Sequence, residues 1–115
     1  MLIDRFRFGN VRIDGLDYSK DVIIVGGVVH SPWWRTAGGH VFAPADLATI
    51  IEAAPKTVCL GTGAVGMVTV DDATIKAFEA IGTEIIIDRT GRVIEEFNRL
   101  TAEGRNVAAA LHLTC

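Results

Sequence analysis

From residue 57 onward the chain alternates between short apolar runs of strand length and stretches with helical period, and no other feature restricts the fold as much. Thr57-Val58-Cys59-Leu60 reads as a short buried strand that ends in a glycine turn. Asp71 can cap a helix carrying Ile75, Phe78 and Ile81 on one face, closed by Gly82. Glu84 to Asp88 returns as an apolar strand. Thr90 is expected to cap the last helix, whose Val93, Ile94, Phe97 and Leu100 form a core stripe ending near Gly104, and Asn106 to Leu113 is the final strand. Crossovers of this length suit parallel pairing, so the second half is expected to be a doubly crossed α/β unit.

The first half reads differently. Phe6 and Phe8 alternate with Val11 and Ile13 around a Gly9-Asn10 turn, which predicts a hairpin. A turn cluster from Asp14-Gly15 to Ser19-Lys20-Asp21 leads into Val22-Ile23-Ile24-Val25, an unbroken β-branched run suited to a strand covered on both faces. Gly26-Gly27 is expected to bend or bulge the chain before Val28-Val29-His30. Ser31 to His40, with Pro32, Trp33, Trp34, Arg35 and Gly38-Gly39, supports neither helix nor strand and is expected to be a loop. Pro44 suits the first turn of a helix carrying Leu47, Ile50, Ile51 and Ala54 up to Pro55, although Ala43 is a poor cap.

At 115 residues a second independent core would leave each half too small, so a single domain over residues 1–115 is expected. Half the residues are hydrophobic and the mean hydropathy is +0.36, which points to a layered α/β core. Eleven basic against fourteen acidic residues, net charge -3, and no basic block argue against a nucleic-acid partner. No run approaches the roughly 18 apolar residues of a membrane span, and Met1-Leu2-Ile3-Asp4-Arg5 is not a signal peptide. A cytoplasmic location is expected. Cys59 and Cys115 are expected to be free thiols, with an exposed Cys115 able to cross-link two copies after oxidation in vitro.

Several constellations could carry chemistry. Gly61-Thr62-Gly63-Ala64-Val65-Gly66 has the spacing of a dinucleotide-binding loop, but it runs into strand-like Met67-Val68-Thr69-Val70 instead of opening a helix at the pyrophosphate. A tight turn between closely passing backbones is the simpler reading, and no cofactor is expected. Arg35 and His40 lie beside two tryptophans, where a stacked guanidinium can hold a carboxylate or phosphate; alternatively Arg35 bonds loop carbonyls and His40 fixes a turn. Thr90 and the Gly61 to Gly63 turn fall at the same end of the sheet, so an anion could sit between them, with simple helix capping as the alternative. Cys59 lies between Val58 and Leu60 and reads as core. His30, His40 and His112 lack metal-ligand spacing, so no metal is expected. Asp71-Asp72 and Glu95-Glu96 read as helix-start or outer-face acids, and Arg99, Glu103 and Arg105 as a solvated face. Adjacent Trp33 and Trp34 cannot easily face one core, and an exposed one would be a typical interface anchor.

Phe8-Gly9 with Ile13 and Tyr18, Trp34-Arg35, His40, Gly61-Thr62-Gly63, Thr90, Asn98, Glu103-Gly104-Arg105, Val107 and His112 span nearly the whole chain. In their order and spacing the chain resembles the Mth-domain family. It departs from that pattern at Arg89, where proline is common, and at Gly91-Arg92-Val93, where the helix usually starts with alanine. The resemblance implies a three-layer α/β domain: a central mixed, mostly parallel sheet flanked by helices, with an extra amino-terminal β layer. It also suggests that Asn98 and Arg105 brace the final strand. Mitochondrial relatives act in assembling respiratory complex I through protein contacts. The expectation for this chain is a non-enzymatic interaction or assembly module that meets a protein partner through the Trp33 to His40 loop. The alternative is a small anionic-ligand binder or an enzyme using Arg35, His40, Gly61, Thr62, Gly63 and Thr90.

Overall fold

The computed structural model describes residues 1–115. The predicted hairpin is formed by β1 (Ile3–Arg7) and β2 (Asn10–Ile13), but with Arg7 opposite Asn10 it turns at Phe8-Gly9, one residue earlier than expected, which puts Phe8 in the turn; β3 (Leu16–Tyr18) extends it to a three-stranded antiparallel sheet. This third strand lies where the sequence reads as turn: Leu16 and Asp17 are exposed, so it carries no alternating pattern. Next come β4 (Val22–Val25) and β5 (Val28–His30), paired antiparallel. Gly26-Gly27 is therefore neither bulge nor bend but the two-residue turn of a second hairpin.

β6 (Val41–Phe42) precedes a 3-10 turn at Pro44–Leu47, and α1 (Ala48–Ala53) follows. The helix expected from Pro44 thus opens as a 3-10 turn, with no side-chain cap from Ala43. The second half contains β7 (Thr57–Gly61), β8 (Thr69–Val70), α2 (Asp72–Ala80), β9 (Glu84–Asp88), α3 (Thr90–Ala102) and β10 (Val107–Leu111). Strands β10, β7 and β9 are parallel, as the crossover lengths predict. They join the second hairpin in one mixed sheet of order β5-β4-β10-β7-β9, with β4 antiparallel to β10. The strand-like run before Asp71 is β8, a two-residue parallel bridge to β6.

Both faces of this sheet are covered, which is why its central strands read as unbroken apolar runs. Alternate residues of each strand enter different cores. Ile23, Val58, Leu60, Ala108 and Ala110 pack with Phe42, Leu47, Ile50 and Phe78, whereas Ile24, Cys59, Ala109 and Leu111 pack with Val93, Ile94, Phe97 and the hairpin residues Ile3, Val11 and Ile13. Cys59 is fully buried, and burial pushes its thiol pKa up to about 12, which disfavours the thiolate at neutral pH. The amphipathic stripe of α3 supplies the second core. No helix is long and apolar enough to cross a membrane.

Two contacts fix α3. The Asn98 side-chain oxygen accepts from the Ile3 amide at 2.9 Å while its amide donates to the Ile3 carbonyl at 2.7 Å, so Asn98 clamps β1, not the final strand. Arg105 pairs with Glu103 on the surface. Gly61 lies directly beneath α3: a Cβ there would stand 2.9 Å from Thr90 Oγ1 and 3.0 Å from Val93 Cγ2. Only glycine lets the strand and helix approach so closely. Arg89 occupies a φ of -55°, a value proline would also adopt, so the helix start survives the departure from the family pattern.

Candidate functional site

The Trp33 to His40 loop divides its aromatic pair. Trp33 is buried against Phe42, ring centroids 5.2 Å apart, and its indole N–H donates to the Asp46 carbonyl at 2.9 Å. Trp34 is 73% exposed. Arg35 turns inward beneath them, its guanidinium 4.8 Å from the centre of the Trp33 ring. The carboxylate it binds is internal: Nη1 donates to Asp21 Oδ2 at 2.8 Å, and Nη2 donates to the Gly39 carbonyl. Asp46 closes the loop by accepting from the Thr36 and Ala37 amides and the Thr36 hydroxyl. Burial resists its ionisation, but these bonds outweigh that and hold its pKa below the ordinary aspartate value.

Asp21 also serves a second pair of partners. Oδ1 accepts from the Leu113 amide at 2.8 Å, and Oδ2 lies 2.7 Å from His112 Nδ1. Arg35 Nη2 lies farther from that nitrogen, at 3.2 Å, so we assign the Nδ1 proton to the shorter contact with the carboxylate. His112 Nε2 then keeps its lone pair and accepts from the Thr114 hydroxyl at 3.1 Å. Burial works against the charge on Asp21, yet His112, the Leu113 amide and Arg35 together lower its pKa.

The expected anion site between Thr90 and the glycine turn is closed. Thr90 is completely buried, accepts from the Gly63 amide at 2.9 Å and donates to the His112 carbonyl at 2.6 Å. It does not cap α3, whose N-cap is Arg89 with no side-chain cap bond; its hydroxyl instead joins two strand ends. Thr62 spends both its amide and its hydroxyl on the Asp88 carbonyl. The chain between Gly63 and β8 never enters a helix, so the glycine motif lacks the dinucleotide-binding arrangement.

One segment links these residues. Residues 112–115 are held by Gly61 O accepting from the His112 amide at 3.0 Å, by Gly9 N–H on the Leu113 carbonyl at 2.8 Å, and by Ala64 and Met67 amides on the Thr114 and Cys115 carbonyls. His40 Nε2 lies 3.4 Å from Cys115 Sγ. Arg35, His40, Gly61, Gly63 and Thr90 therefore meet around the 112–115 segment as its supports, not as the walls of one pocket. Asp21, which the sequence reads only as part of a turn cluster, and His112, weighed there only as a metal ligand and as part of the family pattern, are the hub. An open cleft of about 380 Å³ lies alongside, bordered by Lys20, Asp21, Trp34, Arg35, His112 and Thr114.

Gly63 reports on how tightly that segment is seated. A Cβ there would stand 2.5 Å from the Cys115 carbonyl, and its φ is +111°. Gly63→Ala should lower the unfolding free energy by about 2 kcal/mol through strain in this backbone region, read from the urea midpoint. It should also speed thiol modification at Cys115 while Cys59 stays protected.

The fold and this clasp define a mixed α/β domain with a five-stranded sheet, three helices and an added β-hairpin sheet. Residues 3–112 match the family described as protein of unknown function (DUF498/DUF598), and the chain belongs to that family, the Mth938-like proteins. Among solved structures it is similar to a conserved hypothetical protein, PH1505, from Pyrococcus horikoshii OT3, at 25% identity and TM-score 0.86 over all of both chains. It is also similar to the protein MT938, at 25% identity and TM-score 0.84, covering 99% of this chain and 98% of that one. A Mth938-like domain protein from Bordetella pertussis shares the fold at 19% identity and TM-score 0.70 over 97% and 85% of the two chains.

Proposed function

We propose that this chain is a non-enzymatic binding module that docks a protein partner on the face formed by the 33–40 loop and the 112–115 segment, in the manner of a complex-assembly factor. The observation that carries the reading is the company this segment keeps. Trp34 borders the same cleft as Thr114; Phe8 and Val65 adjoin residues whose amides bond Leu113 and Thr114; Met67 bonds Cys115 directly. All four side chains are at least 60% exposed. Large apolar side chains around a rigid polar centre suit an interface, where aromatic anchors contribute most of the affinity. The anionic-ligand reading is less well supported, because Asp21 already neutralises Arg35, while Gly61 to Gly63 and Thr90 are buried and bonded among themselves.

A photo-cross-linking amino acid placed at position 34 or 67 in living cells tests this. Each should yield the same adduct of discrete mass, and the same probe at exposed Leu16 should not. Absence of an adduct from both positions, or one indistinguishable pattern from all three, overturns the proposal.

A further inference from the structure

Three residues with no metal-ligand spacing in the sequence converge in space. One ligand atom from each of His40, His112 and Cys115 lies within 4.8 Å of the other two. We propose that they form a binding site for a borderline-to-soft transition-metal ion, with Zn²⁺ as the reference case, and that the ion ties the 33–40 loop to the 112–115 segment.

The donor set is the first argument. Two imidazoles and a thiolate suit zinc and its neighbours, and do not suit calcium or magnesium. Geometry is the second. Tetrahedral zinc, with bonds of about 2.0–2.1 Å to nitrogen and about 2.3 Å to sulfur, sets neighbouring donors roughly 3.3–3.7 Å apart. His40 Nε2 and Cys115 Sγ are already 3.4 Å apart, and the third donor closes by about an ångström at most to meet that spacing. His40 is exposed and Cys115 only partly buried, so both can adjust.

The third argument is the setting of His112. A metal-binding imidazole usually donates its other N–H to a carboxylate, which fixes its tautomer and the orientation of the ring. Asp21 accepts at 2.7 Å, leaving Nε2 as the free donor on a side chain that is only 8% exposed. Binding would displace the weak Thr114 hydroxyl contact from Nε2 and release the Cys115 thiol proton. Three protein ligands leave a fourth position for water. The site does not depend on the partner-docking proposal.

Zn²⁺ titration of the full chain, kept reduced with a phosphine and read by competition with a chromophoric chelator, should show one ion per chain with micromolar or tighter affinity. Co²⁺ should give a tetrahedral spectrum with a thiolate charge-transfer band. Cys115→Ser and His40→Ala should each weaken binding by at least about 100-fold with unchanged far-ultraviolet circular dichroism, while Cys59→Ala should bind as the wild type does. Affinity weaker than millimolar, one ion per two chains, or undiminished binding in both ligand variants would overturn the proposal.

Discussion

Asp21→Ala should destabilise the protein by about 3–5 kcal/mol, because it removes the only carboxylate bonded to a buried guanidinium. The Arg35 side chain is 5% exposed and that of His112 is 8% exposed, so both depend on this carboxylate for a polar partner. The Leu113 amide loses its acceptor in the same change. Urea denaturation at neutral pH measures the loss. The wild type carries a matching pH dependence. Asp21 has a pKa below the ordinary 3.8, so the folded state holds its proton less readily than the unfolded chain does. Its contribution is complete above that value and is lost as the pH falls through the lower folded one. The stability difference between wild type and Asp21→Asn should therefore be constant at neutral pH and shrink in acid below about pH 4. A difference that persists unchanged into strong acid would show that the carboxylate charge is not what holds Arg35 and His112.

Thr90→Val should cost about 2–4 kcal/mol despite conserving shape, since each buried group left without its partner costs about 1–3 kcal/mol. The Gly63 amide loses its acceptor and the His112 carbonyl its donor at a site with no solvent. For a domain of this size the melting temperature should fall by roughly 10–20 °C. Thr90→Ser keeps the hydroxyl and gives up one methyl group, so its loss should be near 1 kcal/mol. If valine proved milder than serine, packing and not hydrogen bonding would be the role of Thr90. Because the His112 carbonyl begins the 112–115 segment, Thr90→Val should also loosen the Cys115 end of the clasp.

Much of this architecture is legible in the sequence, and the reason is local. The stripe Val93, Ile94, Phe97 and Leu100 repeats at the period of a helix, and all four are buried on α3. The runs at 22–25 and 57–61 are apolar without alternation because both faces of those strands are covered. Asp71 is a cap by residue type and by geometry, accepting from the Ala73 amide. Strand β3 escapes notice because Leu16 and Asp17 face water and only Tyr18 reaches the core, and β8 because two residues carry no period.

The local features that single out the candidate residues are only partly the features that place them. Gly61 and Gly63 announce a close backbone approach in any fold, but what approaches, α3 over one and Cys115 over the other, is decided by packing. Thr90 announces a hydroxyl near a helix start. Whether that hydroxyl turns back to the helix or inward to two strand ends depends on β7 and β10 being neighbours. Asp21 and His112 stand 91 residues apart, and no local pattern connects them. A lone aspartate before a strand and a lone histidine after an alanine run read as turn and core.

Most of the strand and helix order, the two-sided burial of the central sheet and the family are written in short-range periodicity, residue type and spacing along the chain. Packing between distant segments sets the rest: Arg35 spends its charge on Asp21, and the glycine turn and Thr90 grip one segment. It alone gathers ligand atoms of His40, His112 and Cys115 within 4.8 Å of one another. The parallel register of β10 beside β7 delivers residues 112–115 between the two loops, and a register is a property of two strands that neither carries alone.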